Sequence, residues 1–534
     1  MMKKLLVCFV AIMLLFSGCG VSDSVEPVTD EVQSNFSESE ADGIQINLSD
    51  DKITVDGKNI TNDNTQSVYS LNDIVFYPEG KDFTFGEGTK DDEHSQTEAD
   101  SHTVVHIAKP GKYILSGKLS AGQIAVDLGK DAKENPAAVV TLVLNNVDIS
   151  CTVAPAIIFY NVYEPFCEIT EETATKDVDT ENAGANVIIA DGTENNINGS
   201  YVAKIYKSYE LSEDGTEVVD SKKLHKYDGA FYSKMTMNMD GGEKGNGVLN
   251  IKAENEGLDS ELHLTINGGI INITSGNDGI NTNEDNISVT TINGGSLNII
   301  CDGTTGEGDG IDSNGWLVIN DGAVTAQACS TSGDAGIDSD KGIYINGGKV
   351  MATGNMLDHI AGGTQTYAVF SFTNLQNGGN TYTLKAVDGK IVGEYVSDNA
   401  FTYLIIAGDE LAEGEYNFWQ DDTQLSAFKS DNMQGGMMPG ERPEMPNGEM
   451  PEDFTPPEMP NGGKPEDFTP PEMPEGFTPP EMPNGARPDM PEGMTPPGNA
   501  GGMMGGNMMP GGESSDIFTI TDGGNQFENV DYTK

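Results

Sequence analysis

The chain has 534 residues, with 85 Asp and Glu against 29 Lys and Arg, for a formal net charge of −56. Nucleic-acid binders need a basic face to replace the counterions around phosphates, so this charge argues strongly against that class. The 65 glycines, with abundant Asn, Thr and Asp, favour turns over helix interiors. The composition therefore argues against a helical bundle.

The amino terminus has the pattern of a secretion signal. Two lysines precede the apolar run Leu5–Phe16, which is too short for the roughly 20 residues that span a bilayer. The run ends in Phe-Ser-Gly-Cys, which resembles a bacterial lipobox. We expect residues 1–18 to be a lipoprotein signal peptide, Cys19 to carry a lipid, and residues 19–42 to form a flexible acidic tether. Simple secretion is the alternative to membrane anchoring at the extracellular face.

The carboxyl-terminal region changes composition sharply. Residues 431–514 are rich in Pro, Met and Gly, and PEDFTPPEMP at 451–460 recurs unchanged at 465–474. Such a segment lacks the apolar residues for a core, so we expect it to be disordered. Residues 515–534 regain a strand-like pattern and are predicted to return to the main domain, residues 43–430.

A repeat dominates the main domain. Ile-Asn-Gly-Gly or a close variant begins at residues 266, 292, 319 and 345, at intervals of 26 or 27. Within each interval lies a second motif of the Asp-Gly-Ile-Asp-Ser type, and short strands of period two follow each turn. This spacing predicts an all-β fold, a parallel β-helix (solenoid) with coils of 26–27 residues. Stacked coils would align the amides of Asn267, Asn293, Asn320 and Asn346.

The last part of the main domain does not follow the repeat. Residues 366–428 lose the period and contain alternating runs, which predict an antiparallel cap on the open end of the solenoid.

Four cysteines fall in the predicted main domain. Cys151 and Cys167 are candidates for a disulfide in an extracellular protein, and buried thiols are the equal alternative.

The ordered motifs resemble a known family. They are the two repeat motifs together with Gly111–Asp127, Thr141–Ile149, Gly192–Asn196 and Asp228–Ser233. This series is similar to that of bacterial surface carbohydrate-binding proteins. The resemblance implies a right-handed parallel β-helix built around calcium, and binding of plant cell-wall polysaccharides such as pectic acid or cellulose.

Acidic residues recur in phase with the repeat. Stacking would place Asp259, Asn281, Asp312 and Asp338 in one row and Glu256, Asp278 and Asp309 in another. Carboxylates about 4.8 Å apart repel one another, and a cation between them reverses that effect. Ca²⁺ prefers such oxygen ligands. We therefore predict a calcium site whose ligands come from this set, with a merely solvated acidic turn as the alternative.

One tryptophan and one tyrosine in neighbouring repeats suggest a platform for sugar rings. Trp316 precedes one Ile-Asn-Asp-Gly strand, and Tyr344 lies in the next coil. Both rings are candidates to stack on carbohydrate, and the alternative is that they only cover the fold surface.

The sequence favours binding over catalysis. Pectate lyases use calcium and a basic residue, usually Arg, whereas both arginines here, Arg442 and Arg487, lie in the low-complexity region. We therefore expect a non-catalytic cell-surface protein that binds plant-type polysaccharide, either acidic pectic glycan or cellulose. A lyase- or glycosidase-like enzyme and a structural surface adhesin are the alternatives.

Overall fold

The computed structural model describes residues 42–430 and 514–532. The predicted signal peptide, the lipidation site Cys19, nearly all of the tether and the Pro/Met-rich segment lie outside these residues. In the part of the chain that the structure describes, the helices are α1 (Gln96–Asp100) and a 3₁₀ turn (Lys130–Glu134). Within the same part, no helix is long and apolar enough to cross a membrane.

Fourteen strands make up the amino-terminal half of the fold. They are β1 (Ile44–Leu48), β2 (Thr54–Val55), β3 (Lys58–Asn59), β4 (Val68–Leu71), β5 (Thr103–Ile107), β6 (Gly111–Leu119), β7 (Gly122–Asp127), β8 (Val140–Ser150), β9 (Ile157–Asn161), β10 (Ala185–Ile189), β11 (Glu194–Gly199), β12 (Val202–Leu211), β13 (Val218–Tyr227) and β14 (Gly229–Ser233). Strands β12 and β13 form a two-stranded antiparallel hairpin, and Ile205 of β12 also makes a single bridge to Gly86.

The repeat region supplies the next fourteen. They are β15 (Met237–Gly241), β16 (Val248–Ala253), β17 (Glu256–Ser260), β18 (Leu264–Ile266), β19 (Ile270–Ser275), β20 (Ile280–Thr282), β21 (Val289–Ile292), β22 (Ser296–Cys301), β23 (Ile311–Ser313), β24 (Trp316–Ile319), β25 (Ala323–Gln327), β26 (Gly342–Ile345), β27 (Lys349–Gly354) and β28 (Ile360–Gly362).

Strands of successive repeats pair in parallel and in register, because each repeat presents the same alternation of apolar and polar residues. Strands β16, β19, β22, β25 and β27 align one buried aliphatic residue from each. These residues are Leu249, Ile271, Leu297, Val324 and Val350. Their side chains face the main core, while the polar residues between them face outward.

A second set of strands forms a separate eight-stranded sheet. Its order is β4, β5, β7, β9, β14, β17, β20 and β23, and all neighbours are parallel except the first pair. The Asp-Gly-Ile-Asp-Ser motifs contribute the last three of these strands. This sheet therefore positions the predicted metal ligands.

The remaining eight strands come from residues without the repeat. They are β29 (Tyr367–Gln376), β30 (Thr381–Ala386), β31 (Ile391–Val396), β32 (Phe401–Ala407), β33 (Gly414–Gln420), β34 (Thr423–Ser430), β35 (Phe518–Ile520) and β36 (Gly524–Tyr532). Most of them pair antiparallel, and β36 lies between β29 and β34. A phenylalanine cluster fills this part, with the rings of Phe370 and Phe418 centred 4.2 Å apart.

The prediction of a right-handed parallel β-helix is wrong. No closed solenoid is present in residues 42–430 and 514–532. The fold is all-β, with one mixed sheet of 26 strands, the eight-stranded sheet and the isolated hairpin. The large sheet is mixed because antiparallel pairs, such as β1 with β2 and β27 with β32, join the parallel ladders. The repeat specifies the register between neighbouring strands. It does not specify which strands pair at the ends of the sheets, and the segments without the repeat determine that pairing.

The four cysteines of the main domain are free thiols. Cys151 is buried and Cys167 is exposed, so the two do not form the disulfide that their spacing suggested. Burial raises the pKa of the Cys151 thiol to about 12. Cys301 and Cys329 are also buried.

Candidate functional site

An acidic row crosses the end of the eight-stranded sheet. Strand pairing aligns Asp259 with Asn281, and Asn281 with Asp312. A single bridge between Ile311 and Ile337 extends the alignment to the segment that carries Asp338. The acidic row comprises these residues and the carboxylates beside them, Glu256, Asp278 and Asp309.

The inner part of the row is fully enclosed. Asp259 is 0% exposed and Glu256 is 4% exposed. The Asn281 side-chain amide donates to Glu256 Oε1 at 3.1 Å, and the Asn283 amide donates to Asp259 Oδ1 at 2.7 Å. The other oxygens, Glu256 Oε2, Asp259 Oδ2 and Asn281 Oδ1, are buried without a hydrogen-bond partner. A buried acceptor without a hydrogen bond costs free energy, so these three oxygen atoms are candidates to bind a ligand.

The charge around this part is poorly balanced. Burial, followed by the neighbouring charges of Asp228 and Asp278, raises the pKa of Glu256 well above its ordinary value. Burial, followed by the charge of Glu256, likewise raises the pKa of Asp259 well above its ordinary value. Lys226 forms an ion pair with Asp228, with Nζ 2.8 Å from Oδ2. This ion pair compensates the charge of Asp228 and leaves the excess acid of Glu256 and Asp259 in place.

The outer part of the row has the same excess of acid. Burial and nearby carboxylates raise the pKa of Asp278, Asp312 and Asp338 to about 7, and that of Asp309 to about 9. Backbone N–H groups offset part of this, since Asp309 N donates to Asp278 Oδ1 at 2.7 Å. A carboxyl group with such a pKa binds either a proton or a cation near neutral pH.

The donor set is compatible with calcium but is not a preformed cage. Among residues 42–430 and 514–532, no group of three or more His, Cys, Asp and Glu side chains has the geometry to hold a metal ion. Ca²⁺ also accepts the oxygens of Asn side chains and backbone carbonyls beside carboxylates, in flexible geometry. The three unpartnered oxygens, one of them from Asn281, are donors of this kind.

The second feature is a polar groove of about 690 Å³ on the outer face of the large sheet. Its floor is formed by outward residues of successive strands, Thr265, Thr291 and Val318. One side is the amide ladder, which consists of Asn267, Asn293, Asn320 and Asn346. The opposite side is the acidic wall, residues 176–181 of the segment between β9 and β10.

Two sets of hydrogen bonds hold that segment against the sheet. At its start, Thr236 N and Oγ1 donate to the carboxylate of the buried Glu164, at 2.6 and 3.0 Å. At its end, Thr180 Oγ1 donates to Asn238 Oδ1 at 2.7 Å, and the Asn238 amide donates to Thr180 O at 2.8 Å. Side chains and backbone groups of the protein itself therefore fix the acidic wall to the sheet.

The two predicted sugar-stacking rings lie on this same face. Tyr344 aligns with Val318, and Trp316 aligns with Gly342 on the neighbouring strand, so the rings are diagonal neighbours and not a stacked pair. Lys176 Nζ lies 5.1 Å from the centroid of the Tyr344 ring and covers one side of it. The groove beside them was missed from the sequence, because the acidic wall carries no repeat. The unusual length of the segment between β9 and β10 was the sequence feature that could have indicated the groove.

A family comparison identifies the general class of the protein. The family model described as "Carbohydrate-binding domain-containing protein" matches residues 101–394, which is more than half of the chain. The chain belongs to this family. The matched region contains the whole acidic row and the whole groove.

Comparison with other known proteins adds little. No curated protein sequence matches the chain. One solved structure that does match is a polysaccharide lyase-like protein from C. thermocellum, crystallised as a gadolinium derivative. It is 20% identical and covers 57% of this chain and 92% of its own, with a TM-score of 0.27. At that score the match carries no argument about fold or activity.

Proposed function

We propose that this protein is a non-catalytic polysaccharide-binding protein stabilised by calcium. Its membership of the carbohydrate-binding domain family carries the proposal. The polysaccharide is of the plant cell-wall type, either an acidic pectic glycan or cellulose, as the sequence motifs imply.

The acidic row supports the calcium part of the proposal. Asp259, Asn281 and Glu256 each bury one oxygen that has no partner, on adjacent strands of one sheet. A cation at this point would satisfy those oxygens and offset the burial and the mutual repulsion that raise the carboxyl pKa values. When bound, calcium would supply positive charge and fix the ends of the strands. Asp278, Asp309, Asp312 and Asp338 would hold further ions in the outer part of the row.

The lysine that interacts with the inner part of the row favours binding over proton abstraction. Lys226 is held by Asp228 and by the charges of Glu256 and Asp259. Burial alone lowers the pKa of Lys226, but attraction to these carboxylates raises it overall, so the ammonium group keeps its proton. A protonated lysine is a poor general base.

We also propose that a lipid on Cys19 holds the protein at the extracellular face of the bacterial membrane. The apolar run and the Phe-Ser-Gly-Cys segment support this placement. Cys19→Ala would then release the protein from the membrane fraction. Retention of that variant in the membrane fraction would contradict the anchor.

Retention on insoluble polymer tests the function directly. Full-length protein is mixed with cellulose or polygalacturonate in calcium or in EGTA, and the supernatant is assayed for released sugar. We expect calcium-dependent retention on at least one polymer and no sugar release. Release of reducing or unsaturated ends would make the protein an enzyme. Absence of retention on both polymers would refute binding of these glycans.

A further inference from the structure

We infer that the groove between the amide ladder and the acidic wall binds the polysaccharide, and that it selects an uncharged chain. This inference rests on the proposed binding function and adds both the location and the substrate class. It also moves the contact away from the aromatic pair, Trp316 and Tyr344. The amide ladder, the acidic wall and the size of the groove are the observations that carry it.

The amide ladder presents regularly spaced donors and acceptors. Asn293 Nδ2 donates to Asn267 Oδ1 at 2.9 Å, Asn320 Nδ2 donates to Asn293 Oδ1 at 2.8 Å, and Asn346 Nδ2 donates to Asn320 Oδ1 at 2.8 Å. A side-chain amide has two N–H donors and an oxygen with two lone pairs. Each central amide therefore keeps one donor and one acceptor position for a ligand. Asn267, Asn293 and Asn320 are exposed, so those positions are accessible.

This geometry matches a row of sugar hydroxyls. Four neighbouring strands at about 4.8 Å extend the ladder over roughly 14 Å, the length of a few linked pyranose rings. A hydroxyl both donates and accepts, as the free positions of each amide require. A linear glycan that crosses the strands would place successive rings beside successive amides.

The charge of the groove selects against an anionic chain. Lys176 is its one basic lining residue among the described part of the chain, against four acids, Asp177, Asp179, Glu181 and Asp240. A polyuronate would bring further negative charge into this space, whereas an uncharged glycan would not. The polar lining of the groove can form hydrogen bonds with hydroxyl groups. The overall charge of −56 likewise disfavours an anionic chain.

Hydrogen bonds within the protein order the groove, and this favours a binding role. Two hydrogen bonds between Thr180 and Asn238, at 2.7 and 2.8 Å, attach the acidic wall to the large sheet. A site that is already ordered loses less conformational entropy on association. Lys176, by contrast, already covers one side of the Tyr344 ring, so a sugar stacked there would have to displace it.

Calorimetry with soluble oligosaccharides tests the inference. Full-length protein in calcium is titrated with cellohexaose and with oligogalacturonate of similar length. The groove variant is Asn293→Ala/Asn320→Ala. A second variant, Val318→Trp, fills the groove floor and leaves the ladder intact. Both should weaken cellohexaose binding at least tenfold.

The fold offers a matched control. Asn272 and Asn298 form a similar ladder on another face, with Asn298 Nδ2 donating to Asn272 Oδ1 at 3.3 Å. Asn272→Ala/Asn298→Ala removes two amides from the same kind of stack without touching the groove, and it should bind as wild type does.

Each result bears on a different part of the argument. Loss of binding in both groove variants but not in the control supports the inference. Unchanged cellohexaose binding in both groove variants overturns the groove and leaves the proposed function standing. Binding of oligogalacturonate alone by the wild type overturns the uncharged class. Binding of neither oligosaccharide overturns this inference, and retention on the polymers then decides the proposed function separately.

Discussion

Replacing Asp312 by Asn should stabilise the calcium-free protein at alkaline pH. The folded environment raises the pKa of Asp312 from 3.8 to about 7, mainly through burial and then through the charges of Asp278 and Asp340. The substitution has a precedent in the fold, because Asn281 occupies the aligned position on the neighbouring strand. Asn keeps the shape of the side chain and cannot ionise.

The sign and size of the effect follow from proton linkage. Between pH 4 and 7 the folded state of the wild type binds more protons at Asp312 than the unfolded state does. The resulting stability is complete below about pH 4 and is lost as the pH rises through 7. A shift of about 3 pKa units at ~1.36 kcal/mol per unit sets an upper limit of about 4 kcal/mol. Titration of neighbouring carboxyl groups reduces that figure.

Urea denaturation in EGTA at pH 4.5 and pH 8 measures the effect. We expect Asp312→Asn to have a free energy of unfolding close to that of the wild type at pH 4.5 and 1–4 kcal/mol higher at pH 8, which is about the range allowed by the pKa shift. The control is Asp409→Asn, at an exposed carboxylate far along the chain, which should change little at either pH. Equal differences at both pH values, or a less stable variant at pH 8, would refute the reasoning.

Three further predictions concern calcium, the low-complexity segment and the core. Asp309→Ala/Asp312→Ala should abolish the rise in Tm on adding calcium, and a rise equal to that of the wild type would argue against these residues as ligands. Deleting Met433–Gly512 should leave retention on polysaccharide intact, and lost retention would instead assign binding to that segment. Leu297→Ala, which truncates a side chain only 1% exposed, should cost about 2–5 kcal/mol in urea denaturation; a cost below about 1 kcal/mol would contradict the packed ladder.

The repeat made the local arrangement predictable. Motifs spaced by 26 or 27 residues indicated which side chains share a row, and the structure links Asn293 to Asn320 and aligns Asn281 with Asp312 as that spacing implies. Strand register follows from such patterns because a shift by one residue would turn the apolar side chains, such as Ile271, outward.

The larger arrangement was not predictable in this way. Segments without the repeat, including Tyr367–Gln376 and Phe401–Ala407, pair antiparallel and join the parallel ladders into one mixed sheet. Their pairing depends on contacts between residues far apart in sequence. The acidic wall was missed for a related reason, since the contacts of Thr236 and Asn238 that fix its segment join residues 72 and 58 positions apart in the chain.

The position of β36 has a consequence for the order of folding. This strand lies between β29 and β34, yet residues 431–523 separate it from β34 in the chain. At about 5–20 residues per second, synthesis of that separating segment takes roughly 5–19 s. During this delay β29 and β34 each lack a neighbour and expose unpaired backbone groups that can pair with another chain. The last strand to be synthesised is thus an interior one, and its arrival completes the sheet.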